Sequence, residues 1–321
     1  MRMLDSALYA LTGRPARGGG LLSLALQGGG SYGAFTWGVL DRLLEERNVR
    51  FDAISGASAG AVNATLMAAG LAEGGRAGAR AKLEAFWRSM STASSFLPLA
   101  AIPPGVEALT RMLSPYQFNP FDLNPLRQAL ARDIDFERLR ANRTLRLLIA
   151  ATRVSDGALR IFRNEELSVE TILASACLPM IHRTVKIDGE DYWDGGYSAN
   201  PPLVQLVRAS QTRDFLVVQV TPARSQGTPV TRSEIAKRLD NIAFNATLNA
   251  EIEALRLGAD LSATRKLRGL RVDRLAAEDE VAGLASRSAA DLDWSFLTRL
   301  RDAGRSAAEG WLGERYLRES A

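Results

Sequence analysis

The sequence predicts an α/β fold, an open and mostly parallel sheet flanked by helices, followed by a mainly helical C-terminal segment. Three observations carry this expectation. Short apolar runs at residues 21–27, 51–55, 145–152 and 215–220 have the length and content of buried strands. Stretches with helical spacing separate them, as crossover connections in a parallel sheet require. Two glycine-rich turns, at residues 28–33 and 56–60, each stand where a strand run stops and a helix begins.

In chain order, residues 1–20 hold a short apolar patch followed by Arg14, Arg17 and three glycines. The patch is short for a signal peptide and has no small-residue cleavage site before charge returns, so it reads as a loose leader. Residues 34–47 carry Val39, Leu40, Leu43 and Leu44 on one side of a helix. A glycine-rich turn at 70–78 precedes a further helix at 79–90. Residues 91–125 mix Leu97, Ile102, Met112, Tyr116 and Phe118 with six prolines, among them Pro98, Pro103 and Pro104. A long irregular apolar stretch of this kind reads as a lid or lipid-docking segment, or as a loop packed back onto the core. A helix is expected over 126–140, and Asp156-Gly157 turns the chain into 158–162. Ser168 caps a short helix over 168–176 that stops before Pro179. A ribbon over 185–193 turns at Asp188-Gly189, Asn200-Pro201-Pro202 opens another helix, and 215–220 is the last buried strand. Residues 232–264 form a long amphipathic helix, and 291–317 two shorter ones. The chain therefore divides into a leader at 1–20, a main domain at 21–222 and a helical extension at 223–321 packed on it, with a homodimer surface as the lesser reading of its charged helices.

Composition narrows the function classes. With 46% hydrophobic and 24% charged residues over 321 positions, the chain is globular and long enough for one large α/β domain with an accessory segment. The formal net charge of +4 is spread without a basic run, so nucleic-acid binding has no motif support. No stretch approaches the roughly eighteen apolar residues of a membrane span. The one cysteine, Cys177, excludes an internal disulfide and a multi-cysteine metal site. The expected location is the cytoplasm, with peripheral membrane contact.

The chemistry is carried first by Gly56-Ala57-Ser58-Ala59-Gly60. This is G-x-S-x-G between a strand and a helix, the context of a nucleophile elbow. The central residue sits on a strained backbone, so Gly56 and Gly60 must leave room around it. The strain lifts the Ser58 hydroxyl to the N-terminus of the following helix, where free N–H groups favour developing negative charge.

The second feature is Gly28-Gly29-Gly30-Ser31-Tyr32-Gly33, again between strand and helix. Two functions could use its N–H groups. As G-x-G-x-x-G on Gly28, Gly30 and Gly33, with Asp52 roughly two dozen residues after Gly28, it imitates a dinucleotide fingerprint and suggests an oxidoreductase. Paired with the elbow, it is an oxyanion loop made by Gly28, Gly29 and Gly30 with Ala59. Asp52 lies at the start of its strand, whereas a ribose-binding acid belongs near the end; this favours the oxyanion reading.

These two turns, followed by Asp194-Gly195-Gly196, give the chain three motifs in order, and in this it resembles the patatin-like phospholipases, from about residue 21 to 220. Ala174-Ser175-Ala176-Cys177-Leu178-Pro179 and Asn200-Pro201-Pro202 extend the likeness. The resemblance implies a fold related to the α/β-hydrolases and a Ser-Asp dyad. Ser58 would be the nucleophile and Asp194 the general base, acting on acyl esters of phospholipids or neutral lipids. In one departure, Tyr32 stands where the family commonly carries a basic residue.

Histidine arithmetic leads to the same residues. A Ser-His-Asp triad needs a histidine, and His182 is the single one. It lies in an apolar stretch twelve residues before Asp194 and reads as structural. A carboxylate can accept the serine proton directly when held in reach and desolvated, which raises its pKa. No metal or cofactor is called for. The partners expected are an acyl-ester substrate and a membrane surface, and a catalytically idle lipid-binding scaffold is the alternative.

Overall fold

The centre of the sheet is built from the most apolar strands. β1 (Leu21–Leu26) and β2 (Arg50–Gly56) pair in parallel, β2 pairs in parallel with β3 (Arg146–Arg153), and β1 is flanked on its other edge by β7 (Asp214–Gln219). β7 is buried along its whole length and β1 from its second residue on, because helices cover both faces. Three antiparallel strands, β4 (Leu159–Arg163), β5 (Val185–Ile187) and β6 (Glu190–Asp194), finish one side, and β8 (Arg271–Ala276) pairs in parallel with β7 on the other. The order is β5-β6-β3-β2-β1-β7-β8, with β4 also on β3. This computed structural model describes residues 20–96, 114–119, 122–142, 144–225, 227–261, 269–281 and 283–320. The leader at 1–19 and most of the expected lid, 97–113, lie outside the described residues.

The helices in chain order are α1 (Gly33–Glu45), α2 (Ala59–Phe96), α3 (Pro115–Phe118), α4 (Pro125–Asp133), α5 (Phe136–Ala141), α6 (Val169–Ser175), α7 (Leu203–Ala209), α8 (Arg232–Leu261), α9 (Ala277–Glu280) and α10 (Trp294–Ser320). α1 is buried nearly all round because α10 covers the face turned away from the sheet. The two helices touch backbone to backbone: a Cβ on Gly38 would stand 1.9 Å from the Arg301 carbonyl oxygen, and one on Gly304 2.1 Å from that of Phe35. Asp41 of α1 joins the contact by pairing with Arg80 and Arg305.

Four expectations are corrected. The break in α2 is confined to Gly74 and Gly75, and the helix then runs on to Phe96; Gly70 and Gly78 instead let the two halves approach, a Cβ on Gly70 falling 2.4 Å from the Ala79 Cα. The helix expected over 126–140 is two, because the Asp135 carboxylate accepts the Arg138 N–H and starts a new one. β7 is the last buried strand, but a half-exposed one, β8, follows it in the region expected to be mainly helical. β8 escaped notice because Arg271, Asp273 and Arg274 break its apolar run, as suits a half-exposed edge strand. The last two helices are one, α10, started by Asp293 accepting the Phe296 N–H at 3.1 Å.

Candidate active site

β2 ends at Gly56, and Ser58 adopts φ 53°, a left-handed backbone that costs a side-chain-bearing residue about 1–2 kcal/mol. The surroundings enforce it. A Cβ on Gly60 would lie 2.0 Å from the Leu26 carbonyl oxygen, and one on Gly28 2.6 Å from the Ser58 Cβ. Gly56 is equally crowded by Gly60 itself, at 2.6 Å. The Ser58 N–H donates to the backbone carbonyl of Ser175 at 3.0 Å and reaches its hydroxyl at 3.1 Å. That N–H, held by the last residue of α6, fixes the elbow and does not face a substrate.

The sheet delivers the carboxylate. β2 pairs with β3 as far as Gly56 opposite Ile149, and β6 takes over along residues 151–153, with Asp194 opposite Ala151. As β4 spans 148–152 of β3, β2 and β6 share its other edge. β6 therefore arrives where β2 turns away, and its last residue stands beside the elbow. The Asp194 N–H donates to the Cys177 carbonyl at 2.8 Å, and its Oδ1 accepts the Gly196 N–H at 2.8 Å. Gly195 leaves no space for a side chain, since a Cβ would meet the Ala150 carbonyl oxygen at 2.2 Å.

Asp194 has 0% exposure, and burial pushes its carboxyl up to about 7; the Gly196 N–H and the Ser58 hydroxyl oppose this. Oδ2 carries no closed hydrogen bond among the described residues. Serine and carboxylate thus stand close enough to interact without a fully aligned bond, as is common when no substrate draws them together.

The glycine loop lies alongside. Gly28, expected among the oxyanion donors, has its N–H committed to Asn200 Oδ1 at 2.7 Å, and its carbonyl accepts the Thr221 hydroxyl at 2.9 Å. Gly30 takes φ +58°, and a Cβ there would meet the Ala289 carbonyl oxygen at 2.3 Å. That carbonyl also accepts the Ser31 N–H at 2.8 Å. Gly33 lets α1 meet α2, where a Cβ would stand 2.7 Å from that of Ala59. The N–H groups of Gly29, Gly30 and Ala59 make no hydrogen bond among the described residues.

The profile of the patatin-like phospholipases matches residues 24–207, more than half of the chain and all three motifs. The chain belongs to that family. A protein of Escherichia coli (strain K12), the uncharacterized protein YjjU, is 26% identical over 216 residues, covering 65% of this chain and 55% of YjjU. The chain thus spans about half the length of that relative. Among solved structures, VipD from Legionella pneumophila is similar over 91% of this chain and 67% of its own, at 16% identity and a TM-score of 0.49.

Of the other residues weighed in the sequence, His182 and Asp52 lie outside the three motifs, Tyr32 lies within the glycine loop, and Cys177 lies in the segment at 174–179. His182 Nδ1 accepts the Leu178 N–H at 3.3 Å, and burial lowers its pKa against the pull of Asp122. No hydrogen bond of its ring reaches Ser58 or Asp194 among the described residues. Cys177 donates its thiol to the Arg183 carbonyl at 2.9 Å; burial first, then the Asp194 charge, push it up to about 12, so it stays neutral. Asp52 lies near the opposite end of the sheet from the glycine loop, paired with Arg146 and accepting the Gln211 N–H at 2.6 Å. It ties strands together there and is remote from any nucleotide bound at the loop. Tyr32 is buried and donates to the Arg287 carbonyl at 2.5 Å. Among the described residues no group of three metal-ligating side chains occurs, and no helix is long and apolar enough to cross a membrane.

Sequence reading missed Asn200 as the acceptor for Gly28, Ser175 as the anchor of Ser58, and Gln27 with Asn245 behind the loop. The Gln27 side chain accepts the N–H groups of Val220 and Thr221 and donates to Asn245 Oδ1 at 3.0 Å. The motif segments containing Ser175 and Asn200 were visible; the direction of their side chains was not.

Proposed function

We propose that the protein hydrolyses carboxyl esters of phospholipids or related lipids through Ser58 and Asp194. One observation carries the reading: a wholly buried carboxyl, raised to about 7, beside a serine in a left-handed elbow. Asp194 takes the hydroxyl proton as Ser58 Oγ attacks the ester carbonyl. The tetrahedral oxyanion accepts hydrogen bonds from the N–H groups of Gly29, Gly30 and Ala59, which have no other partner among the described residues. Collapse breaks the ester C–O bond, and Asp194 returns the proton to the leaving alcohol. Water then attacks the acyl-enzyme as Asp194 takes its proton; collapse breaks the Ser58 Oγ–acyl bond, Asp194 returns the proton to Oγ, and the fatty acid departs. Gly28, whose N–H is engaged by Asn200, contributes space and not a donor. Family membership supports the lipid substrate, and the apolar stretch at 91–125 favours contact with a bilayer.

Intact mass after exposure to a fluorophosphonate tests the dyad on the wild type, Ser58→Ala and His182→Ala. One adduct on the wild type, lost in Ser58→Ala and kept in His182→Ala, is the expected result. Loss of labelling in a folded His182→Ala protein would overturn the dyad in favour of a rearranged triad.

A further inference from the structure

Two aromatic rings stand beside the Asp194 carboxylate, and the proposed chemistry gives them no part. β6 ends at Asp194, and one short turn, Gly195–Tyr197, carries the chain past it. Gly195 and Gly196 are buried, whereas Tyr197 is 38% exposed. Its ring meets Phe244 of α8 edge to face, with centroids 5.2 Å apart and planes at 74°. Phe244 also presses on the backbone beside the carboxylate. A Cβ built on Gly196 would stand 3.1 Å from the Asp194 Oδ1 and 3.1 Å from the Phe244 ring. The space of one methyl group therefore separates the carboxylate from that ring.

Tyr197 keeps an open face and an open polar group. Its hydroxyl makes no hydrogen bond among the described residues, although a tyrosine in partly buried surroundings ordinarily finds one. Burial, then the charges of Asp240 and Asp194, push that hydroxyl up to about 12, so it remains a neutral donor.

The proposed reaction fixes which part of a substrate comes here. Asp194 returns its proton to the leaving oxygen, so that oxygen must come within hydrogen-bond reach of the carboxylate. The carbonyl oxygen is taken by the N–H groups of Gly29, Gly30 and Ala59. The substituent on the leaving oxygen is therefore the part of the ester that adjoins Asp194 and its aromatic neighbours.

We propose that Tyr197, braced by Phe244, binds the alcohol portion of the ester, its ring lying against hydrocarbon and its hydroxyl donating to an oxygen borne by that alcohol. The inference rests on the Ser58–Asp194 reading and deepens it, assigning selectivity for the alcohol to Tyr197 and leaving the acyl chain to other residues. Phe244 belongs to the helical extension, which thereby shapes the substrate side of the site.

The test measures kcat/KM for ethyl, butyl and 2-methoxyethyl butanoate, with ethyl octanoate as the acyl-side comparison. In Tyr197→Ala the preference for butyl over ethyl is expected to fall about tenfold, as two methylene groups lose their wall. Tyr197→Phe keeps the wall and should retain that preference, yet lower the ratio of 2-methoxyethyl to butyl about fivefold, the worth of one hydrogen bond. Phe244→Leu loosens the brace and should shift the butyl-to-ethyl ratio in the same direction as Tyr197→Ala, by less. The octanoate-to-butanoate ratio should hold in all three. Equal losses on every ester would make Tyr197 structural, and a change confined to the acyl comparison would place the acyl chain here; either overturns the proposal. So do ratios that no variant moves. A wild type that hydrolyses none of these esters counts against the dyad. The same ratios are then read as Kd on the Ser58→Ala protein by ligand-observed NMR, where indifference to the Tyr197 substitutions overturns this inference on its own.

Discussion

Asp194→Asn separates two roles of the buried carboxyl, because it removes the proposed base and keeps an oxygen for the Gly196 N–H. Activity is expected to vanish; stability is expected to change in the opposite direction. The carboxyl moves from an ordinary 3.8 to about 7 on folding, chiefly through desolvation. At pH below both values, folded and unfolded chains carry the proton and nothing is lost. Between them the unfolded chain ionises while the folded one retains its proton, so wild-type stability falls as pH rises. At about 1.36 kcal/mol per decade over roughly three decades, the loss reaches about 4 kcal/mol above pH 7 and stays there. Asparagine does not ionise and escapes it. Urea unfolding of both proteins from about pH 4 to about pH 8 should give a stability difference that grows in favour of the variant and then levels off. A difference that does not vary with pH would refute the claim that burial holds this carboxyl out of its ordinary range.

The same titration sets the rate. With Asp194 as the base, kcat/KM for a soluble ester should climb about tenfold per pH unit below about 7 and level above it, and a profile flat down to pH 5 would exclude Asp194. Ser58→Gly and Ser58→Ala both remove the nucleophile, but only glycine relieves the left-handed backbone. Ser58→Gly should therefore be the more stable by about 1 kcal/mol in thermal melts. Asn200→Ala leaves the Gly28 N–H without its acceptor, which should cost about 1–3 kcal/mol and slow fluorophosphonate labelling as the loop loosens.

The parts of the site that were legible in sequence are those where backbone conformation dictates the residue. Gly56, Gly60, Gly28 and Gly195 each sit where a Cβ would strike a backbone atom or the Ser58 Cβ, so a strand-to-helix junction rich in glycine is visible in one dimension. Apolar runs likewise exposed the four central strands. What stayed hidden depends on side chains that act across the chain. Asn200 reaches Gly28 over 172 positions and Asn245 reaches Gln27 over 218. Neither asparagine differs locally from one in a turn or on a helix surface. β8 was hidden for another reason: an edge strand needs only one protected face, so it lacks the apolar run that marks a central one.

The glycine loop raises a physical problem that these remote contacts solve. Oxyanion donors act by being fixed before charge develops, yet three consecutive glycines are the most freely jointed sequence available. Within the loop, the Tyr32 N–H donates to the Gly29 carbonyl at 3.2 Å and the Gly33 N–H to that of Gly30. Further support comes from outside, at successive residues. Asn200 and Thr221 grip Gly28 from its two polar sides, the Ala289 carbonyl takes the Ser31 N–H, and Tyr32 anchors to the Arg287 carbonyl. Gln27, just before the loop, is clamped between the backbone after β7 and Asn245 of α8. Three of these supports, Asn245, Arg287 and Ala289, come from the helical region beyond residue 222. That region carries none of the three motifs, but it fixes the backbone from which the proposed donors project. Its contribution to the proposed chemistry is positional, supplied through main-chain carbonyls and one amide side chain.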